Sequence, residues 1–233
     1  MNIAVILAAG KGERLKSATC PKQFLKIGNK SILEHTVDKF LTFPDIEKVL
    51  VVVNAQWISH TKELFSDDFY ASKILICKGG KNRQESLFFG CLEINSLFPE
   101  EQKITIISHD AARPFVSSRI ISENIRSMNL GNFDALDTVC PATDTIIESL
   151  NHMNITTIPN RDYLYQGQTP QTFKLKDYIS AYEKFGQLHG TTDAASLLLK
   201  DGKKVGLIEG DPFNIKITTD YDLSFAKFLI CQK

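Results

Sequence analysis

The chain has 233 residues, 43% of them hydrophobic, with 27 basic and 27 acidic side chains. That length fits one large domain with a real core, and the zero net charge excludes a bulk basic field for nucleic acid or membranes, so any anion site must be local. No apolar run approaches the ~18 residues of a membrane span, no leader precedes the first apolar segment, and the five cysteines form no CxxC pair, so a cytoplasmic protein with reduced thiols is expected.

The first strand is predicted at residues 3–7 and runs into the small-residue loop LAAGKGERL and then PKQF. Ser31 is placed to cap a helix reaching residue 40, with Ile32, Leu33, Thr36, Val37 and Phe40 at helical spacing. KVLVVV at 48–53 is a continuous apolar strand, the kind buried on both faces of a parallel sheet. A helix at 57–65, a strand at 74–77 and the loop KGGKNR follow, then a helix carrying Leu87, Phe88, Cys91 and Leu92. The strand at 104–107 ends in Ser108, His109 and Asp110. This alternation predicts an α/β domain with a parallel core, whose ligands bind beyond the carboxyl ends of the strands. LAAGKGERL, KGGKNRQES and HDAARP all fall there.

Between residues 134 and 173 the pattern changes. Segments 138–141 and 144–148 are strand-like, 151–154 is turn-like and 155–158 alternates, which predicts an extended hairpin arm over about 138–172. A lone two-stranded ribbon is marginal in water, so the arm is expected to pack on a second subunit. Helices at 175–185 and, behind Thr192 and Asp193, at 194–200 come next. Strands at 205–208 and 214–218 and a helix at 220–230 close the chain. Cys77, Cys91, Cys140 and Cys231 lie in apolar runs and are expected in the core.

Gly10 and Gly12, with Ala8 and Ala9, allow backbone N–H groups to close around phosphate oxygens, and Lys11, Arg14 and Lys22 supply nearby positive charge. The spacing is neither GxxxxGK[ST] nor GxGxxG, and it points to transfer at the α-phosphorus of a nucleoside triphosphate. Gly79 and Gly80 permit close backbone approach, and Ser86 sits in the first turn of a helix, where an anion or a carbonyl oxygen is favoured. Asp110, at the end of a buried strand and facing phosphates, makes sense as a magnesium ligand or a ribose acceptor. Arg113 could equally pair with it, and His109 is read as a packed neighbour rather than a base. No general base is required, because a phosphate monoester has a second pKa of ~6. Lys216 alternates with Ile215 and Ile217, which points it away from them.

LAAGKGERL…PKQF, GGKNRQES, HDAARPF, the Asp144-Thr145 pair, NRDYLYQGQTPQTF, TTDAAS and NIKITTDYDL occur in order over nearly the whole chain. Together they resemble the cytidylyltransferases that act on methylerythritol 4-phosphate and ribitol 5-phosphate. The resemblance implies a Rossmann-like, glycosyltransferase-A-like nucleotidyltransferase fold and Mg2+-dependent transfer of CMP from CTP to a polyol phosphate, releasing pyrophosphate. It makes Arg14, Lys22, Lys216 and Arg161 catalytic, with Lys216 bridging the acceptor phosphate and the α-phosphate. Leu7, Ala8, Ala9, Gly10, Gly12, Gly79, Gly80, Arg83, Ser86, Asp110 and Ala111 match CTP-binding positions. Thr145, Arg161, Thr169, Thr192 and Lys216 match the polyol-phosphate side, and Asp110 and Asp220 the metal positions. Thr218, Thr219 and Asp220 equally read as a helix cap. In the family the arm crosses to a partner, so a homodimer with a shared active site is implied, with no nucleic acid or membrane partner.

The run YQGQTPQ looks more like the ribitol 5-phosphate enzymes, whose CDP-ribitol would supply wall or capsule polymers, than the methylerythritol enzymes of isoprenoid synthesis. Those acceptors differ by a methyl branch and one carbon, worth only ~1–3 kcal/mol of pocket discrimination, so both stay open, with another polyol phosphate behind them. A Rossmann oxidoreductase would want an acidic residue after the second strand, where this chain has Val53-Asn54-Ala55. A catalytically dead module would lose cations that are present here.

Overall fold

A computed structural model describes residues 1–10, 20–186 and 192–231. The amino-terminal half alternates strand and helix. β1 (Asn2–Ala8) is followed by a small ribbon of β2 (Lys26–Ile27) and β3 (Lys30–Ser31), then α1 (Ile32–Leu41). Ser31 caps α1 through a reciprocal pair with Glu34, as its position predicts. β4 (Lys48–Val53), α2 (Ile58–Leu64), α3 (Asp68–Ala71), β5 (Ile74–Lys78), α4 (Arg83–Leu97) and β6 (Thr105–Asp110) continue the pattern. α5 (Ser118–Leu130), capped by Ser117 and stopped by Gly131 at φ 73°, lies in a stretch where no element is predicted above. The rest comprises β7 (Ala135–Pro141), β8 (Tyr165–Lys174), α6 (Leu175–Phe185), α7 (Ala194–Lys200), β9 (Val205–Glu209) and α8 (Asp220–Cys231).

Seven strands form one sheet in the order β5-β4-β1-β6-β8-β7-β9. β8 alone runs against its neighbours, so the sheet is mostly parallel. Alternate residues of the central strands enter opposite cores. Ala4, Ile6, Val49 and Val51 pack with α1 and α5, while Ile3, Val5, Leu50 and Val52 pack with α4, α6 and α7. Burial on both faces is why KVLVVV is unbroken by polar residues. The chain leaves β1 toward β4 on one side and reaches β6 on the other, which opens a crevice at the carboxyl ends of β1 and β6.

Three expectations are corrected. Residues 214–218 join no sheet; Ile217 is buried and donates its N–H to the Ala112 carbonyl at 2.9 Å, and Asn214 is buried beside β8. Both ends of the stretch 138–172 are strands of the central sheet, and between them residues 142–164 hold one isolated bridge, Glu148 to Thr157, where two arm strands were expected. Cys231 is exposed on α8, whereas Cys91 and Cys140 are buried and Cys77 is half-buried with its thiol pushed up to about 12 by burial. Among the described residues, no helix is long and apolar enough to cross a membrane.

Candidate active site

A cleft of about 720 Å³ opens at the crevice, lined by the exit of β1, the loop before α4, the end of β6, and Lys22, Lys216 and Thr218. Leu7, Ala8, Ala9, Gly10, Gly80, Arg83, Ser86, Asp110 and Ala111 all line it, so the structure brings these motif residues together. Gly79 works from behind. A Cβ there would sit 2.5 Å from Ala9 Cβ, so only glycine lets the β5 exit lie against the β1 exit. Ser86 Oγ accepts the Gly80 N–H at 3.0 Å and donates to the Asn82 carbonyl at 2.7 Å, which fixes the glycine loop onto α4. Gln23, next to Lys22 in PKQF but given no role from the sequence, is buried and donates to the Ala8 and Gly10 carbonyls at 2.6 and 3.1 Å. It sets the curvature of the loop after β1.

Asp110 is the centre of the charge. Its Oδ1 lies 2.9 Å from Arg83 Nε, and its Oδ2 lies 2.8 Å from Lys216 Nζ and 3.7 Å from Arg113 Nε. Burial pushes this carboxyl up, but Arg83, Lys216 and Arg113 outweigh it and hold the group well below the usual carboxylate range. Three cations face one anion, and the surplus is positive. Lys22 joins them, its Nζ donating to the Ile217 carbonyl at 2.8 Å, one residue from Lys216. Lys22 and Lys216, 194 positions apart, therefore line one cleft. Lys216 reaches it from an irregular segment, not from the alternating strand expected. Arg113 Nη1 donates to the Asn214 carbonyl at 2.7 Å, and Asn214 Nδ2 donates to the Thr169 carbonyl at 2.8 Å, so that segment is tied to the loop after β6 and to β8.

His109 is fully buried and pushed down to about 4 by burial. Its Nε2 lies 3.0 Å from the Arg113 carbonyl, which can only accept, so Nε2 carries the proton and Nδ1 accepts from Thr169 Oγ1 at 2.9 Å. Thr169 Oγ1 in turn accepts the Asp110 N–H at 3.2 Å. His109 is thus the packed neighbour the sequence indicated. Thr169, matched to the acceptor side, is 3% exposed and faces His109 and Asp110, so it positions the carboxylate from behind.

The remaining sequence-derived residues are not brought into the cleft. Thr145 and Thr192 are exposed, and Arg161 is exposed with Nη1 on the Thr143 carbonyl at 2.8 Å. Asp220 begins α8 outside the lining, and Thr219 caps that helix as the sequence allowed, its Oγ1 accepting the Asp222 N–H at 3.2 Å while Asp222 Oδ2 accepts the Thr218 and Thr219 N–H groups at 2.8 Å each. Arg14 and Gly12 lie outside the described residues. For magnesium, Asp110 fits the usual pattern of one or two carboxylates plus substrate phosphates, and no cluster of three or more His, Cys, Asp or Glu exists among the described residues.

The profile of the 2-C-methyl-D-erythritol 4-phosphate cytidylyltransferase family matches residues 2–232. A ribitol-5-phosphate cytidylyltransferase of Streptococcus pneumoniae (strain ATCC 700669 / Spain 23F-1) is 43% identical over 234 residues, covering 99% of each chain. The same enzyme of strain Hungary19A-6 is 42% identical with the same coverage. Among solved structures, the 4-diphosphocytidyl-2C-methyl-D-erythritol synthase of Anaerococcus prevotii superposes with a TM-score of 0.83 at 29% identity, covering 100% of this chain and 99% of that one. The 2-C-methyl-D-erythritol 4-phosphate cytidylyltransferase of Francisella tularensis gives 0.80 at 27% identity, with 97% and 98% covered.

Proposed function

The chain belongs to the 2-C-methyl-D-erythritol 4-phosphate cytidylyltransferase family, and from that premise we propose that it transfers CMP from CTP to D-ribitol 5-phosphate, giving CDP-ribitol and pyrophosphate. The acceptor rests on identity: relatives bearing the ribitol name reach 42–43%, against 27–29% for the two methylerythritol structures. The chemistry rests on one observation, the convergence of Arg83, Arg113 and Lys216 on Asp110, with Lys22 lining the same cleft, at the carboxyl ends of β1 and β6.

An oxygen of the acceptor phosphate attacks the α-phosphorus, the bond from α-phosphorus to the bridging oxygen breaks, and pyrophosphate leaves with that oxygen and the electron pair. The attacking phosphate is already ionised near neutral pH, so no side chain need remove a proton. Charge spreads over the equatorial and departing oxygens, and fixed cations stabilise it where it develops. Lys216 aligns the two phosphates, and Lys22 faces the triphosphate. Lys216 must exchange its contact with Asp110 for phosphate oxygens, so nucleotide binding and the release of that ion pair are coupled. Asp110 and the nucleotide phosphates would hold Mg2+, which adds further charge neutralisation on those oxygens.

The acceptor side is completed by a second copy, whose Thr145 and Arg161 reach across. This is supported by the exposure of Leu150 at 76%, Met153 at 86% and Ile158 at 57%, an apolar stripe that water disfavours. The reaction takes place in the cytoplasm, where CTP is available.

The test is pyrophosphate release with CTP and Mg2+, each acceptor offered separately. Ribitol 5-phosphate should turn over fastest. Preference for methylerythritol 4-phosphate would replace the acceptor, and no release with any polyol phosphate would overturn the reading.

A further inference from the structure

Behind Arg83 lies a second polar cluster that the phosphate chemistry leaves unused. Gln171 Nε2 donates to Asp137 Oδ1 and to Asp193 Oδ2, both at 3.0 Å, and Gln171 Oε1 accepts the Ala194 N–H at 3.3 Å. Asp193 caps α7 through its other oxygen, 2.9 Å from the Ser196 N–H, and Gln84 Nε2 donates to its carbonyl at 3.0 Å. Its position is fixed by two helices and a strand.

Asp137 is different. It stands in β7, half-buried, where apolar residues would pack against α7 at no electrostatic cost, and burial pushes its carboxyl up to about 6. One oxygen accepts from Gln171, and a carboxylate has acceptor sites to spare. Next to it β8 carries Gly167, exposed and without a side chain; a Cβ there would stand 3.9 Å from Asp137 Oδ2. The approach to that oxygen is therefore open.

Arg83 joins this cluster to the cleft. Its Nε holds Asp110, its charge is felt by both Asp137 and Asp193, and its Nη1 is buried without a hydrogen-bond partner. A buried guanidinium N–H left unpaired costs free energy, which a ligand oxygen would recover. Two carboxylates that accept and one N–H that donates form a set matched to hydroxyl groups, each of which does both. Resting on the proposed function, we infer that Asp137, with Asp193 and Arg83, binds hydroxyls of the acceptor polyol chain and is a specificity-determining residue of this enzyme.

The experiment compares wild-type protein with Asp137→Asn and Gly167→Val, using whichever polyol phosphate the wild type consumes. If the wild type consumes only an acceptor other than ribitol 5-phosphate, the functional reading changes while this inference is still tested. Asp137→Asn should raise the acceptor KM about tenfold to a hundredfold, the effect of losing a hydrogen bond to a charged group, and leave CTP affinity within about twofold. It should also raise the melting temperature at pH 7.5, because a buried charge is removed. Gly167→Val should raise the acceptor KM about tenfold by closing the approach without touching the carboxylate. A purely structural Asp137 predicts the reverse, a lower melting temperature with acceptor KM unchanged. That outcome, or an unchanged acceptor KM in either folded variant, overturns the inference.

Discussion

The end of β6 and the segment 142–164 treat their side chains in opposite ways. Around Asp110, four charged groups from three distant stretches satisfy one another within 3.7 Å and are largely shielded from water. In the segment 142–164, Ile147, Leu150, Met153, Ile155 and Ile158 stand exposed over one isolated bridge. Within one chain the Asp110 cluster is finished, whereas segment 142–164 leaves apolar surface open to water. In the proposed dimer that segment is the unfinished half, the part a second copy would complete.

The largest expected effect tests the finished half. Lys216→Ala should lower kcat by about 10²–10³-fold, the scale for removing a group that acts on transition-state charge, with CTP affinity within about tenfold. Unchanged turnover would remove Lys216 from the chemistry. The unfinished half is tested by mixing inactive Arg161→Ala and Lys216→Ala chains. With random exchange about half the dimers are hybrids with one intact site in two, so about a quarter of wild-type activity should return. Hybrids that form without activity would put Arg161 in its own subunit's site.

A smaller effect probes the support behind Asp110. Thr169→Val leaves the Asp110 N–H and His109 Nδ1 without their shared hydroxyl, and should cost about 1–3 kcal/mol in denaturant unfolding, recovered in Thr169→Ser. No loss would show that the relay is redundant. On the arm, Leu150→Asp with Met153→Asp should shift sedimentation toward monomer and change monomer stability by less than about 0.5 kcal/mol, since both residues are exposed. A dimer that persists would point to another interface.

The last prediction concerns pH. Arg83, Asp193 and Gln171 surround Asp137, whose folded pKa is raised by burial to about 6. As pH climbs from about 4 to 6 the unfolded chain ionises this group first, so stability is lost in that window and stays lost above it. Asp137→Asn should therefore gain up to about 2–3 kcal/mol at pH 7.5 and nothing near pH 3.5, by urea denaturation. A gain independent of pH would mean that the carboxylate is not strained.

Periodicity and punctuation in the sequence were enough to give the alternating amino-terminal half, because strands such as KVLVVV are apolar for a local reason, burial on both faces. The small-residue loops after β1 and β5 were legible for the same kind of reason, since backbone that must approach a ligand or another loop excludes Cβ atoms. α5 was missed, although Ser117 and Gly131 bracket it with ordinary capping chemistry. Residues 214–218 alternate as a strand would, yet pair with none, because side chains rather than a backbone ladder hold Asn214 to β8 and to Arg113, and Ile217 bonds to the Ala112 carbonyl and the Lys22 ammonium.

Apart from Arg113 with Asp110, three residues apart and pairable on sequence alone, charge partnership was beyond reading, because it depends on distances between segments far apart in the chain. Arg83 and Lys216 carry their charge in any fold, but only the packed sheet sets both on one carboxylate. Thr169 matched a ligand position by motif, and the antiparallel pairing of β8 with β6 turned it inward. Composition and spacing determined which residue types were available for phosphate chemistry. The tertiary structure decided which of them meet, because a pair of charges acts only at a few ångströms.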